Sequence, residues 1–194
     1  MARPIGYNPE EVLKSAMQVF WEQGYDNTSI QDIVVVTGLK PGSLYNVYGN
    51  KEGLFEAVLE LYASEALRVA KEVLLDGDDG LKNIEKFLHE VVLSSISNEK
   101  TNGCLMVKTL LIVSHKDAKI QTYITKVFQE VERYIVTVLQ SCKEKGQISV
   151  NPEDFGRLII ITMYGAHVYS KTNKDEKALT QSIQILLDTL HGRV

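Results

Sequence analysis

The sequence predicts an all-α protein of about nine helices. Proline, glycine and polar capping residues divide its 194 residues into segments, and almost every segment repeats apolar residues at helical spacing. A run of β-branched residues at 33–36 lies within one capped segment and has no second strand nearby to pair with, so we expect it to be helical. The segments form a small N-terminal unit and a larger C-terminal unit.

Three short helices are predicted in the N-terminal unit. Residues 8–11 (Asn-Pro-Glu-Glu) supply an N-cap, a proline in the first turn and acidic neighbours, and this helix ends at Gly24. A capping box at Thr28-x-x-Gln31 predicts a second helix that ends at Gly38. After a three-residue turn, a proline begins a third helix over 41–48.

A fourth helix, from Lys51 to about Leu75, connects the two units and ends at the acidic loop 76–80. Caps and periodicity beyond this loop predict five more helices, over 80–97, 103–114, 117–145, 152–171 and 175–191. The strongest caps are Asp117 and Asn151. We therefore expect an N-terminal unit over 1–50, a connecting helix over 51–75 and a C-terminal unit over 76–194.

Composition and charge narrow the functional classes. Two cysteines and no apparent export signal argue against a disulfide framework or a Cys-rich zinc site, and no apolar run reaches membrane-spanning length, so we expect a cytoplasmic protein. The net charge of −4 does not favour a nucleic-acid partner. The excess of acidic over basic residues in the N-terminal unit favours the alternative of an all-α small-molecule carrier or enzyme without DNA affinity.

The spacing of the second and third helices, with a glycine in the turn between them, is typical of a helix-turn-helix. The stretch that follows, Gly-Leu-Lys-Pro-Gly-Ser-Leu-Tyr-Asn-Val-Tyr-Gly-Asn-Lys-Glu-Gly-Leu-Phe over 38–55, resembles the TetR family of bacterial transcriptional regulators. The resemblance begins at Ala16 and is most specific over 38–55, and a weaker similarity follows at 103–107. It implies a homodimeric regulator with an N-terminal DNA-binding domain and a C-terminal domain for an effector and for dimerisation. We therefore expect a ligand-responsive transcriptional repressor that a small molecule releases from its operator.

Physical reasoning gives the motif residues roles that agree with this resemblance. Helix N-termini and hydroxyls bind phosphate, a glycine allows close backbone approach, and lysines add charge. Pro41, Asn46 and Val47 depart from the common family pattern, and the Asn46 amide suits adenine. The predicted DNA-contacting residues are Thr28, Lys40, Pro41, Gly42, Ser43, Tyr45, Asn46, Tyr48 and Lys51.

The family resemblance also implies an effector pocket within the C-terminal helices. Aromatic, thioether and histidine side chains there are mostly core, yet such an apolar lining with a few polar groups suits a small hydrophobic or aromatic molecule. The predicted pocket residues are His89, Cys104, Met106, Leu110, Tyr123, Met163, Tyr164 and His167. At its predicted position beside a helix start, Cys104 would have a lowered thiol pKa and could sense oxidants, although most such cysteines are inert.

Dimerisation would place two recognition helices about one DNA turn, ~34 Å, apart on a pseudo-palindromic operator. Apolar stripes on the last two helices predict a four-helix interface, while the alternative is that they complete the protomer's own core. The predicted interface residues are Leu158, Thr162, Gly165, Ala166, Leu179, Ile183, Leu186, Leu187 and Leu190.

No catalytic triad, phosphate loop or metal-spaced histidine pair is present in the sequence, so we expect no enzyme activity, no metal and no cofactor.

Overall fold

The computed structural model describes residues 7–96, 103–113, 117–173 and 175–193, and within them the chain forms nine α-helices. This confirms the predicted all-α class, including a helical conformation for 33–36. The predicted helix ends at 97 and 114 lie outside the described residues. The helices are α1 (Pro9–Gln23), α2 (Ile30–Thr37), α3 (Pro41–Tyr48), α4 (Lys51–Leu74), α5 (Gly80–Ile96), α6 (Leu105–Val113), α7 (Ala118–Glu144), α8 (Pro152–Thr172) and α9 (Glu176–Leu190).

Most helix starts follow the predicted caps, with one correction at α2. Asn8, Asp117 and Asn151 cap α1, α7 and α8 through their side chains. The capping box of α2 is formed by Ser29 and Asp32, and the predicted pair Thr28 and Gln31 is wrong. Because the chain enters α2 one residue later, the Asp32 carboxylate accepts from both the backbone and the hydroxyl of Ser29.

The N-terminal unit is built around an aromatic cluster where α1 packs against α4. Phe20 of α1 and Phe55 of α4 are both fully buried, with ring centroids 4.9 Å apart and planes at 62°. Ile33 and Leu44 are buried residues that anchor the short helices α2 and α3 to this core. These two helices are too short to be stable alone, so their position depends on these two side chains.

The C-terminal unit is a bundle of α5, α7, α8 and α9 against the second half of α4. Close contact between α7 and α8 depends on Gly156, because a Cβ at that position would lie 2.6 Å from Val136 Cγ2. The inner face of α9 closes the bundle. That face consists of Leu179, Ile183, Leu186, Leu187 and Leu190, all buried in the protomer.

The core of the N-terminal unit extends into the C-terminal unit, and polar contacts also join the two units. The aromatic cluster continues into residues 104–107 and the first half of α7, which pack against it. Lys108 on α6 donates to the Trp21 carbonyl at the end of α1, with Nζ and O 2.5 Å apart. Lys119 on α7 lies 2.6 Å from a carboxylate oxygen of Glu56 on α4. None of the helices described is both long and apolar enough to span a lipid bilayer.

Candidate nucleic-acid interface and ligand cavity

The turn between α2 and α3 has the backbone that a helix-turn-helix needs. Gly38 ends α2 in the left-handed conformation (φ 67°), and its N–H donates to the Val34 carbonyl. Leu44 is the buried residue of α3, which orients the rest of the helix outward. The exposed residues in and beside α3 are Lys40, Pro41, Gly42, Tyr45, Asn46 and Val47.

The N-terminus of α3 is open to an anion. Lys40 occupies the N-cap position and makes no side-chain capping bond, and Pro41 carries no N–H. The Ser43 and Leu44 N–H groups both donate to the Lys40 carbonyl. The N–H of the exposed Gly42 has no hydrogen-bond acceptor in the described part of the chain. A phosphate oxygen placed there would meet a free N–H and the positive end of the helix dipole.

Two of the predicted DNA-contacting residues have internal bonds instead of a free polar group. Thr28 is 2% exposed and its hydroxyl donates to the Gly24 carbonyl, so this hydroxyl is not presented to solvent. Lys51 donates to the carbonyls of Tyr25 and Thr28, at 3.0 Å each, and lies over the Tyr25 ring. The ammonium of Lys51 therefore ties the loop before α2 to the start of α4.

The two tyrosines of α3 also differ. Tyr45 is 47% exposed, whereas the Tyr48 hydroxyl is buried without a hydrogen-bond partner in the described residues, and burial raises the Tyr48 pKa. Lys14 is paired with Glu10 at 2.6 Å. Lys14 and Lys51 thus have partners, and Lys40 is the lysine within residues 7–51 whose ammonium has no hydrogen bond or ion pair with a described residue.

A cavity of about 610 Å³ lies between the N-terminal and C-terminal units. Its volume falls in the range of sites for small organic ligands. Exposed residues of α1, α4 and α5 mark its mouth, and buried side chains of α5 to α8 mark its interior. The lining comprises Glu10, Lys14, Met17, Leu61, Tyr62, Glu65, Ala66, Val69, Ala70, Phe87, Glu90, Val91, Ser94, Cys104, Met106, Phe128, Val131, Met163, Tyr164 and His167.

Five of the eight predicted pocket residues line this cavity: Cys104, Met106, Met163, Tyr164 and His167. His89 and Leu110 lie outside the lining, and Tyr123 lines a second cavity between α4 and α7. Residues of α1 and α4, including Met17 and Tyr62, complete the wall. Helical spacing shows that Leu61, Glu65 and Val69 share a face of α4, but not that this face borders a cavity.

The polar groups inside the cavity are uncharged at neutral pH. Burial raises the pKa of the Tyr62 and Tyr164 hydroxyls and of the Cys104 thiol. The expectation of a lowered Cys104 pKa is therefore wrong, since burial outweighs the hydrogen bond that Tyr62 donates to the sulfur. Burial, and secondly the charge of Lys171, lowers the pKa of His167 to about 4.

The predicted dimer stripes differ sharply in exposure. The five α9 residues and Ala166 are buried in the protomer, so for them the structure favours the alternative of an intramolecular core. Leu158 is 43% exposed and Ile161, which the sequence analysis did not single out, is 58% exposed. They form an outward stripe on α8 with Gly165, Val168 and Tyr169. A Cβ at Gly165 would meet no atom of the described residues within 4 Å.

One acidic cluster has ligand atoms close enough to hold a metal ion. Carboxylate oxygens of Glu52, Glu56 and Asp117 lie within 4.8 Å of one another. Lys119 already pairs with Glu56, and the Asp117 carboxylate caps α7. We assign no ion to this cluster.

Comparison with known proteins agrees with this geometry. Residues 12–58 match the family model described as bacterial regulatory proteins of the tetR family, and residues 80–186 match the tetracyclin repressor-like C-terminal domain. The chain belongs to the TetR family. It is a helix-turn-helix transcriptional regulator, and nothing in these comparisons favours a carrier or enzyme without DNA affinity.

Relatives and solved structures of TetR regulators cover most of the chain. The repressor ComR of Escherichia coli K12 is 27% identical over 147 residues, which are 75% of this chain and 70% of ComR. The repressor BdcR of the same strain is 30% identical over 126 residues, 62% of each chain. A cysteine mutant of CifR, solved with a 26-base-pair operator, has a TM-score of 0.86 at 23% identity, covering 97% of this chain and 100% of CifR.

Proposed function

We propose that this TetR regulator is a repressor that leaves its operator when a small molecule fills the 610 Å³ cavity. The observation that carries the proposal is the composition of the cavity wall. Met17 of α1 belongs to the unit that carries α2 and α3, while Phe87 and Met163 belong to the C-terminal bundle. A ligand between them contacts both units, so its affinity depends on their relative position, as ligand control requires.

In this proposal residues 1–50 read DNA, residues 51–75 connect, and residues 76–194 bind the effector and a second protomer. Tyr45 and Lys40 contact phosphates, because their polar ends are exposed beside the open N-terminus of α3. Asn46 and Ser43 face the base edges, and Gly42 and Pro41 allow the backbone close to the groove. Thr28, Tyr48 and Lys51 position the helices, since their polar groups are buried or bonded within the protomer.

The dimer forms through the outward stripe of α8, consisting of Leu158, Ile161, Gly165, Val168 and Tyr169. Ile185 of α9 is 60% exposed and is a further apolar side chain on the surface of the C-terminal unit. Gly165 supports this role because none of the described residues packs close enough to require a glycine there, and a glycine allows close approach of a partner helix. Thr162, on the same helix, is half-buried and lies at the edge of the stripe.

Operator binding tests the proposal directly. Full-length protein is titrated, at stated salt, into a fluorescent duplex from the region upstream of its own gene and into a shuffled duplex of the same length and composition. We expect at least about 10³-fold preference for the upstream duplex. Equal affinity for the two duplexes at every salt concentration would overturn the proposal for this operator, and a transcription assay distinguishes repression from activation.

A further inference from the structure

The interior of the cavity contains a histidine nitrogen that lacks a hydrogen-bond partner. His167 is 9% exposed, and its Nδ1 has no partner among the described residues. Buried polar atoms are nearly always hydrogen-bonded, so an orphaned one in a cavity wall marks a position that a ligand atom can fill. Tyr164, one helical turn earlier on α8, also lines the cavity and brings a phenolic hydroxyl to the same wall.

Around these two polar groups the lining is apolar and aromatic. Phe128 packs edge-on against the Tyr164 ring, with centroids 4.7 Å apart, and Phe87 and Met163 lie on the same cavity wall. Such side chains favour flat aromatic rings, whose edges and faces they contact.

The charges near the cavity disfavour an anion. Glu10, Glu65 and Glu90 line it against a single ammonium, that of Lys14, which is already paired with Glu10. Inside, the tyrosine hydroxyls, the thiol and the imidazole are neutral, so no group there compensates a desolvated ligand charge. Lys108 and Lys171 line an adjacent groove that shares Cys104 and His167 with the cavity, and neither lysine lines the cavity itself.

We propose that the effector is an uncharged aromatic alcohol, a phenol of one or two rings, whose hydroxyl binds His167 Nδ1 and the Tyr164 hydroxyl. A phenolic hydroxyl both donates and accepts, so it pairs with Nδ1 in either imidazole tautomer, whereas a carbonyl only accepts. The rings lie against Phe87 and Phe128. This inference rests on the effector cavity of the proposed function and names the chemistry that the cavity selects.

The test compares three probes of equal ring size by calorimetry on the full-length protein without DNA: 2-naphthol, naphthalene and 2-naphthoate. We expect 2-naphthol to bind about tenfold more tightly than naphthalene, since one net hydrogen bond separates them, and more tightly still than the naphthoate anion. Equal binding of all three, or no binding of any, overturns the inference. Tighter binding of naphthoate also overturns it and indicates the lysines of the adjacent groove.

Variants locate the bound hydroxyl. His167→Phe is expected to remove the tenfold preference for naphthol over naphthalene, while the matched change His89→Phe, outside the cavity lining, keeps it. Tyr164→Phe deletes one hydroxyl only, so it provides the test if His167→Phe does not fold. If Tyr164→Phe keeps the full preference for naphthol over naphthalene, the proposed contact with the ligand hydroxyl is wrong. Naphthol that binds as expected but leaves operator affinity unchanged supports the chemistry of the cavity and contradicts its role in release.

Discussion

Lys108 Nζ lies 2.5 Å from the backbone carbonyl oxygen of Trp21 and 3.3 Å from that of Glu22. These carbonyls belong to the last turn of α1, which has no basic residue of its own. A lysine from α6 thus satisfies free carbonyls and meets the negative end of the α1 dipole. Because α6 follows Cys104 in the cavity wall, this contact joins the cavity directly to the DNA-binding unit.

Replacement of Lys108 by methionine keeps an unbranched side chain that is one atom shorter and removes the charge. We expect the free energy of unfolding to fall by about 1 kcal/mol, from the lost hydrogen bonds and dipole interaction. Chemical denaturation measures it. The matched variant is Lys86→Met on α5, where no side-chain contact is recorded, and equal losses in the two variants would contradict the capping role.

Lys40 and Lys51 are expected to separate DNA binding from stability. Lys40→Met should leave the unfolding free energy unchanged and reduce the slope of log affinity against log salt by about 0.9, since one phosphate contact is lost. Lys51→Met should lower stability by about 1–2 kcal/mol because two carbonyls lose their donor. If Lys51→Met instead reduced the salt slope and left the unfolding free energy unchanged, Lys51 would be a phosphate-contacting residue.

Tyr45 and Asn46 are neighbours on α3 with different expected roles. Tyr45→Phe removes one hydroxyl and should weaken binding about fivefold to every operator variant, as the loss of a phosphate contact does. Asn46→Ala should change the ranking of operator variants at one base position, by about 1–3 kcal/mol. Binding to a set of singly substituted operators measures both, and a uniform loss in Asn46→Ala would rule out base contact.

His167 should make stability depend on pH. Its pKa is lowered to about 4 in the folded protein, so between pH 6.5 and 4 the unfolded chain binds a proton that the folded chain does not. This contribution to stability is fully present above pH 6.5 and declines by about 3 kcal/mol on acidification to pH 4. His167→Gln should remove that part of the decline, whereas His89→Gln should retain it; parallel stability curves for all three proteins would contradict the assignment.

Glutamate substitutions on the exposed stripe of α8 and on the buried face of α9 should have different consequences. Leu158→Glu with Ile161→Glu puts charges on an exposed stripe, so we expect a folded monomer by light scattering, with helical circular dichroism retained and operator binding lost. Leu186→Glu with Leu190→Glu buries charges in the protomer core and should cost more than about 4 kcal/mol, enough to unfold it. Leu75→Glu, at an exposed position away from the stripe, controls for added surface charge, and a dimer that survives the α8 changes would place the interface elsewhere.

Local signals were enough to predict the helices. Asn8, Asp117 and Asn151 cap the helices that their positions predicted, because a capping bond depends on residues only two or three positions apart. Adjacent candidates are harder to separate. Thr28 and Ser29 each have a hydrogen-bonding side chain three residues downstream. Ser29 forms the cap because the Thr28 hydroxyl is buried and donates to the Gly24 carbonyl instead.

Sites that depend on packing between distant segments could be predicted only in part. Periodicity showed that α9 has an apolar face but could not show whether α5 of the same protomer or a second protomer covers it. The lysines illustrate the same limit: Lys51 and Lys108 are bonded to carbonyls 23 to 87 positions away, so their sequence neighbours give no signal of these contacts.

The sole tryptophan of the chain, Trp21, lies edge-on to the Tyr62 ring, with centroids 5.1 Å apart and planes at 87°. Its indole nitrogen is buried and has no hydrogen-bond partner in the described residues, and Tyr62 itself lines the cavity. Any molecule that displaces Tyr62 changes the surroundings of this single fluorophore. The emission spectrum of the unlabelled protein is therefore expected to report occupancy of the cavity, which allows candidate compounds to be screened before any operator is known.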